Sequence, residues 1–323
     1  MDWFERITGF EERSYGETQS ALRVEDGKLR SNASERASGI GDLEIPILSE
    51  LRQRVQGIAR KPGAAIKVSM LQGDVRRLHG QPLNSQALFQ VASQFNLLEM
   101  AAPELTPEDG VTRYQEDRTQ GPACAIAAGA ATIYRNYLVP VAGGIGQSAE
   151  RQIDCLANMG LALGNADGQL WDMRNGYALC TEGGLATIDS RMAAMSAGEL
   201  DELRGLLRIG LHWDVEATEA AASGQRVSQA FCSALPVAYT AIAVPKWQRF
   251  ATLVLEAAYE ATLLAGVLNR ERTGCPTVFL TNLGGGAFGN PEEWIEAART
   301  RACEAVAGYE LDVRLVGFGQ PKK

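Results

Sequence analysis

Thr281-Asn282-Leu283-Gly284-Gly285-Gly286-Ala287-Phe288-Gly289-Asn290-Pro291 is the stretch on which the reading of this chain turns. It follows an apolar, β-type run from Thr277 to Leu280 and precedes a helical pattern from Glu292 to Val306. Consecutive glycines between strand and helix leave backbone N–H groups free of Cβ obstruction, so the loop is suited to wrapping an anion. Pro291 at the first helical position, with Asn290 as N-cap and Glu293 three residues beyond it, predicts a helix starting after the last glycine. With those caps on the helix-end donors, a phosphate is expected to lean on the loop amides.

Gly284, Gly286 and Gly289 also spell G-x-G-x-x-G, so a dinucleotide-binding fingerprint has to be tested. Such a fingerprint opens a unit of several strands and is answered by an acid ending the next strand. Here only Leu311 to Gly317 remains, followed by Phe318-Gly319-Gln320 with no acid. A hydride-transferring dehydrogenase is therefore disfavoured.

With 323 residues, 46% of them hydrophobic, the chain is able to bury a full core. A net charge of −8 argues against a nucleic-acid partner, because no basic stripe exists to release counterions. No apolar run approaches membrane-spanning length in this reading, so no membrane partner is expected. The six cysteines form no C-x-x-C pair and sit among apolar neighbours, the pattern of reduced thiols in a cytoplasmic protein. With His79 and His212 the only histidines, a histidine triad or metal site has little material, and none is predicted.

Residues 1–62 read as a polar N-terminal extension packing on the main domain. Within it, a hairpin turns at Asp26-Gly27 and a helical stretch runs from Glu50 to Ala59. After Pro62-Gly63 come a buried strand, Ala65 to Leu71, and a second apolar run, Ala87 to Gln94. An acidic loop and a small-residue helix from about Pro122 to Tyr137 follow. A glycine-rich insertion spans about 140–205, with a hairpin near Leu170 to Cys180 and a helix from about Ser196 to Leu207. Strands Leu207 to Trp213 and Val227 to Ser233 precede a long helix from Lys246 to Asn269. The alternation is that of an α/β layer architecture.

Several of these pieces, in this order, resemble macrodomains, the α/β/α modules that bind ADP-ribose. Gly73-Asp74-Val75 after its strand is similar to the family's G-D-[IV] element, whose Asp contacts the adenine. Phe95-Asn96, ending the second apolar run, resembles the asparagine end near the distal ribose. Gln120-Gly121-Pro122 resembles the ribose-side loop, and Leu283 to Asn290 the loop that wraps the diphosphate. Phe318 matches the aromatic beside the adenine. The match covers about 65–323 and implies a three-layer α/β/α sandwich with a mixed sheet, with 63–323 forming an ADP-ribose-binding domain. The resemblance to poly(ADP-ribose) glycohydrolases is distant, because the G-G-G…Q-E-E signature is absent. Thr106 to Pro122 stands in its place and is similar to a divergent hydrolase branch that uses aspartates and acts on ADP-ribosyl-arginine.

Read without the family, Glu108, Asp109, Glu116 and Asp117 form two acidic pairs eight residues apart, before the helix start at Thr119 to Pro122. Breaking a glycosidic bond at the ribose anomeric carbon passes through an oxocarbenium-like state, which carboxylates stabilise while activating water. Acids before a helix also simply favour its dipole. The resemblance carries over Asp109 and Asp117, with Asp117 at the reacting ribose and Asp109 positioning the ribose or the water; Glu116 competes with its neighbour. His212 beside Trp213, and Cys124 on the small-residue helix, read as packed residues.

The expected function is removal of ADP-ribose from modified protein side chains, arginine in the first instance, with ADP-ribose as ligand and no cofactor. A non-catalytic reader of ADP-ribosylated protein and a hydrolase of a free NAD-derived nucleotide are the alternatives.

Overall fold

The protein is described by a computed structural model over residues 1–61, 63, 65–220 and 224–317. Its centre is a mixed seven-stranded sheet. In chain order the strands are β1 (Asp42–Glu44), β2 (Lys67–Gln72), β3 (Leu88–Ala92), β4 (Gly210–Glu216), β5 (Arg226–Cys232), β6 (Thr277–Leu280) and β7 (Asp312–Gly317). Across the sheet they lie β1-β4-β5-β3-β6-β7-β2. The five strands from β5 to β2 are mutually parallel, and β4 runs antiparallel to both its neighbours. The central β3 and β6 are buried almost throughout, as parallel strands covered on both faces must be.

Side chains of β3 and β5 show the two helical layers. On one face Gln90 and Cys232 meet Thr262 of the long helix Gln248–Thr273. On the other, Phe89 stacks on His79 at 3.8 Å, and Gln229 donates to the Cys124 carbonyl. The first layer also holds α1 (Leu48–Gln56); the second holds α2 (Val75–His79), α3 (Gln120–Ala127) and α4 (Gly129–Tyr137). The long helix is α5, and α6 (Glu292–Ala305) packs beside it. An α/β sandwich with a mixed sheet is thus the observed architecture. Helix α5 is long and apolar enough to cross a bilayer, contrary to the sequence reading, but 83% of its apolar window is buried here.

Three local expectations are corrected. The small-residue helix is broken at Ala128, because Thr218 enters from the β4–β5 connection. Its amide takes the Ala127 carbonyl (2.9 Å) and its hydroxyl accepts from the Gly129 amide (3.1 Å). Asn290 is not the N-cap of α6; Pro291 stands there, without a side-chain cap bond. The Asn290 amide instead donates to the carbonyls of Leu235 (2.9 Å) and Gly284 (3.2 Å), tying the glycine loop shut. Third, the segment before residue 62 is woven into the sandwich, since β1 pairs with β4 and α1 packs on α5. The hairpin at Asp26-Gly27 forms as read.

His79 is fully buried, with Nδ1 donating to the Val75 carbonyl (2.8 Å) and Nε2 left to accept from Gln229 (3.1 Å). Only the neutral ring makes both bonds, and burial lowers its pKa from 6.5 to about 4. A histidine with a depressed folded pKa stabilises the fold above its unfolded value and loses that contribution as pH falls. Stability measured by urea unfolding should therefore fall by about 2 kcal/mol for this group between pH 8 and pH 5. A His79→Gln variant should show a flatter pH dependence; an unchanged slope would mean that another group sets it.

Candidate functional site

The carboxyl ends of β3, β6, β7 and β2 open into one cleft of about 720 Å³. This is the edge where parallel α/β sheets bind ligands, and the volume suits a nucleotide-sized molecule. Sheet order sets the layout. Met70 of β2 with Leu315 and Val316 of β7 forms an apolar end, the glycine loop after β6 borders the middle, and residues following β3 form the far end.

The glycine loop is braced from below. Tyr259 of α5 donates to the Thr281 carbonyl (2.7 Å) and accepts from the Leu283 amide (2.9 Å). The amides of Gly285, Gly289 and Asn290 bond within the loop. Among the described residues, those of Gly284, Gly286, Ala287 and Phe288 find no protein acceptor. Four unspent donors on a braced loop make an anion cradle. Arg299 of α6 also lines the cleft and forms no ion pair among the described residues.

The far end is acidic and aromatic. Asp117 lines the cleft and accepts from the Thr119 amide (2.8 Å), fixing the turn into α3. Gln120 clips α3 to β3: its side chain accepts from the Ala92 amide (2.9 Å) and donates to the Gln90 carbonyl (2.8 Å). Glu99 also lines the cleft, only 4% exposed, with Oε1 lacking any partner. Burial raises its carboxyl well above the usual range; Arg135 opposes that and Asp117 adds to it. Tyr177, Tyr239 and Phe288 close this end, with ring centroids 5.2 to 5.5 Å apart.

Of the residues singled out from sequence, Val75, Asp117, Gln120, Gly121, Gly284, Gly286, Ala287 and Phe288 line this cleft. Gly73, Gly285, Gly289 and Asn290 shape its surroundings without lining it. Asp74 caps α2 by accepting from the Arg76 amide (2.9 Å) and faces outward. Phe95 and Asn96 are enclosed, because the 140–205 insertion covers them: Asn96 donates to Gln152 (2.9 Å) and its carbonyl accepts from Gln147 (3.1 Å). Asp109 closes a capping box with Thr106, accepting from its amide at 2.8 Å, and Glu116 is exposed; neither is brought to the cleft. Phe318 lies outside the described residues. His212 and Cys124 are packed, fully buried residues.

Glu99, Tyr177, Tyr239 and Arg299 were missed by sequence reasoning. A signal for Glu99 existed: it is the single charge inside Leu97-Leu98-Glu99-Met100-Ala101-Ala102. Tyr177 sits on the insertion's hairpin, and nothing local says that it reaches the cleft.

No protein-family model matches this chain, and no curated protein does. Solved structures with a similar chain path include poly(ADP-ribose) glycohydrolase from Thermomonospora curvata, 12% identical over 94% of this chain and 91% of that one, with a TM-score of 0.44. The same enzyme bound to the inhibitor ADP-HPD gives 12% identity over 96% and 93%, also with a TM-score of 0.44. Poly(ADP-ribose) glycohydrolase from Deinococcus radiodurans in complex with ADP-ribose gives 10% over 87% and 88%, with a TM-score of 0.44.

Two glycines separate fold from binding. At Gly284, φ is +77° and a Cβ would stand 2.5 Å from that of Ala234, whereas a Cβ at Gly286 meets nothing within 4 Å. Gly284→Ala should lower the melting temperature. Gly286→Ala should melt normally but bind inorganic pyrophosphate, as a probe of the loop amides, about tenfold more weakly by calorimetry, a loss of about 1.4 kcal/mol. Unaltered pyrophosphate binding in Gly286→Ala would argue against the amide cradle.

Proposed function

We propose that this protein is an ADP-ribosylhydrolase that removes ADP-ribose from modified protein side chains, arginine-linked in the first instance. The observation that carries the reading is the order of chemistry along one cleft. An apolar end suits a flat base, free amides with Arg299 suit a diphosphate, and the carboxyl groups at the far end suit a ribose. The macrodomain resemblance of the glycine loop and of Gln120-Gly121-Pro122 supports the same ligand.

In this reading Asp117 stands at the anomeric carbon. As the glycosidic bond stretches, its carboxylate stabilises the oxocarbenium-like ribose and takes a proton from the attacking water. Asp109 acts at a distance as a positioning residue, holding Thr106 at the head of the loop that ends in Asp117. Glu12 of the N-terminal extension braces that loop, accepting from the amides of Val111 and Thr112 at 2.8 Å. The target protein meets the face built by the insertion, the part of the site added to the sandwich. This chemistry requires no cofactor or metal, and a cytoplasmic setting suits the free thiols.

Release of ADP-ribose from proteins modified separately on arginine, serine and Asp/Glu tests the proposal. Release is expected from the arginine-linked substrate. Asp117→Asn should slow it by at least about 100-fold while ADP-ribose binding stays within a few fold. Micromolar ADP-ribose binding without release from any linkage would make the protein a reader instead.

A further inference from the structure

Asp117 is not the only carboxyl group at the far end of the cleft; Glu99 is buried there too. It is 4% exposed, borders the cleft beside Asp117, and keeps Oε1 without a hydrogen-bond partner. Leaving a buried acceptor empty costs free energy that an apolar residue would avoid, so its retention asks for a partner that arrives from outside. The loop around it is built to keep it in place. The Glu99 amide donates to the Tyr114 hydroxyl (3.1 Å), and the Met100 amide donates to Gln94 (2.7 Å). Gly121 gives the carboxyl its room: a Cβ there would lie 2.1 Å from Oε2.

We propose that Glu99 is the proton donor to the leaving group; this rests on the hydrolase reading above. With an arginine-linked substrate, the bond from the anomeric carbon to the guanidine nitrogen breaks and its electron pair stays on that nitrogen. The Glu99 O–H proton moves to the same nitrogen, so arginine leaves as guanidinium. Water adds to the anomeric carbon and gives its proton to Asp117. Exchange with solvent then returns the proton to Glu99 and removes one from Asp117. Guanidine is a strongly basic leaving group that departs far more readily once protonated, so proton delivery lowers the barrier.

The groups that face this carboxyl agree with the role. Arg135 of α4 pulls it toward ionisation, whereas Asp117 and enclosure favour the protonated acid, and enclosure dominates. Tyr114 and Cys124 are themselves held neutral by burial, and so is Tyr177. A structural alternative exists, in which Glu99 is the ionised counter-charge of Arg135. The two differ in sign. A carboxyl with a raised folded pKa costs stability as pH climbs past 4.5, because only the unfolded chain ionises there. Glu99→Gln then melts at or above the wild-type temperature near neutral pH. A lost counter-charge would melt lower.

The deciding experiment compares wild type and Glu99→Gln on arginine-linked ADP-ribosyl protein and on para-nitrophenyl ADP-ribose, whose phenolate leaves without a proton. Melting temperature and ADP-ribose binding are measured alongside. A proton donor predicts at least about 100-fold loss on the protein substrate, less than about fivefold on the phenolate, and an alkaline fall in wild-type kcat on the protein substrate. Equal losses on both substrates, or an unchanged rate, would overturn the assignment while leaving the hydrolase reading intact. A lower melting temperature together with weakened ADP-ribose binding would make Glu99 structural and overturn it likewise. Absence of wild-type turnover on both substrates would end both readings.

Discussion

Arg135 is the constraint around which the site is arranged. Its guanidinium has no exposed surface and lies 3.9 Å over the ring of Phe231. It donates to the Leu97 carbonyl (3.2 Å), to Thr132 (3.0 Å) and to Nδ1 of His212 (3.1 Å). A buried charge is tolerable only when its donors are spent, and each of these bonds fastens a different element. Leu97 belongs to the loop after β3, Thr132 to α4 itself and His212 to β4. The chain from 93 to 100 is thereby pinned against the sheet. Burial of Arg135, which lowers its pKa to about 10, is the cost of that rigidity.

That pinned loop explains why the added segments matter. The insertion closes over it from behind, through Gln147 to the carbonyls of Asn96 and Arg135 and through Gln152 to Asn96. It then sends Tyr177 into the cleft, where the ring meets Phe288 of the glycine loop. The N-terminal extension braces the acidic loop through Glu12, which also accepts from Tyr137 (2.7 Å). Three segments far apart in the chain thus hold one cleft end, while the sheet supplies its floor.

Most of the sandwich was legible because parallel strands and their helices carry strong local signals. The buried run of β6, the apolar face of α5 and the hairpin at Asp26-Gly27 each state their conformation within a few residues. The departures arose where a distant group competed for a backbone bond. Thr218 broke the small-residue helix at Ala128, and the carbonyl of Leu235 drew Asn290 away from capping α6. Neither competitor lies near its target in sequence.

At the site, sequence alone determined the glycine loop, since three consecutive glycines between strand and helix admit close anion approach wherever the fold places them. It also marked Asp117, Gln120 and Gly121 as the approach to a helix end. Only the tertiary structure decided which acids share the cleft. It turned Asp109 and Glu116 outward, enclosed Asn96 under the insertion, and set Glu99 beside Asp117. The physical reason is that burial and charge proximity depend on segments that only the fold brings together, such as Asn96 and Gln152, 56 positions apart, whereas glycine's freedom belongs to the residue itself.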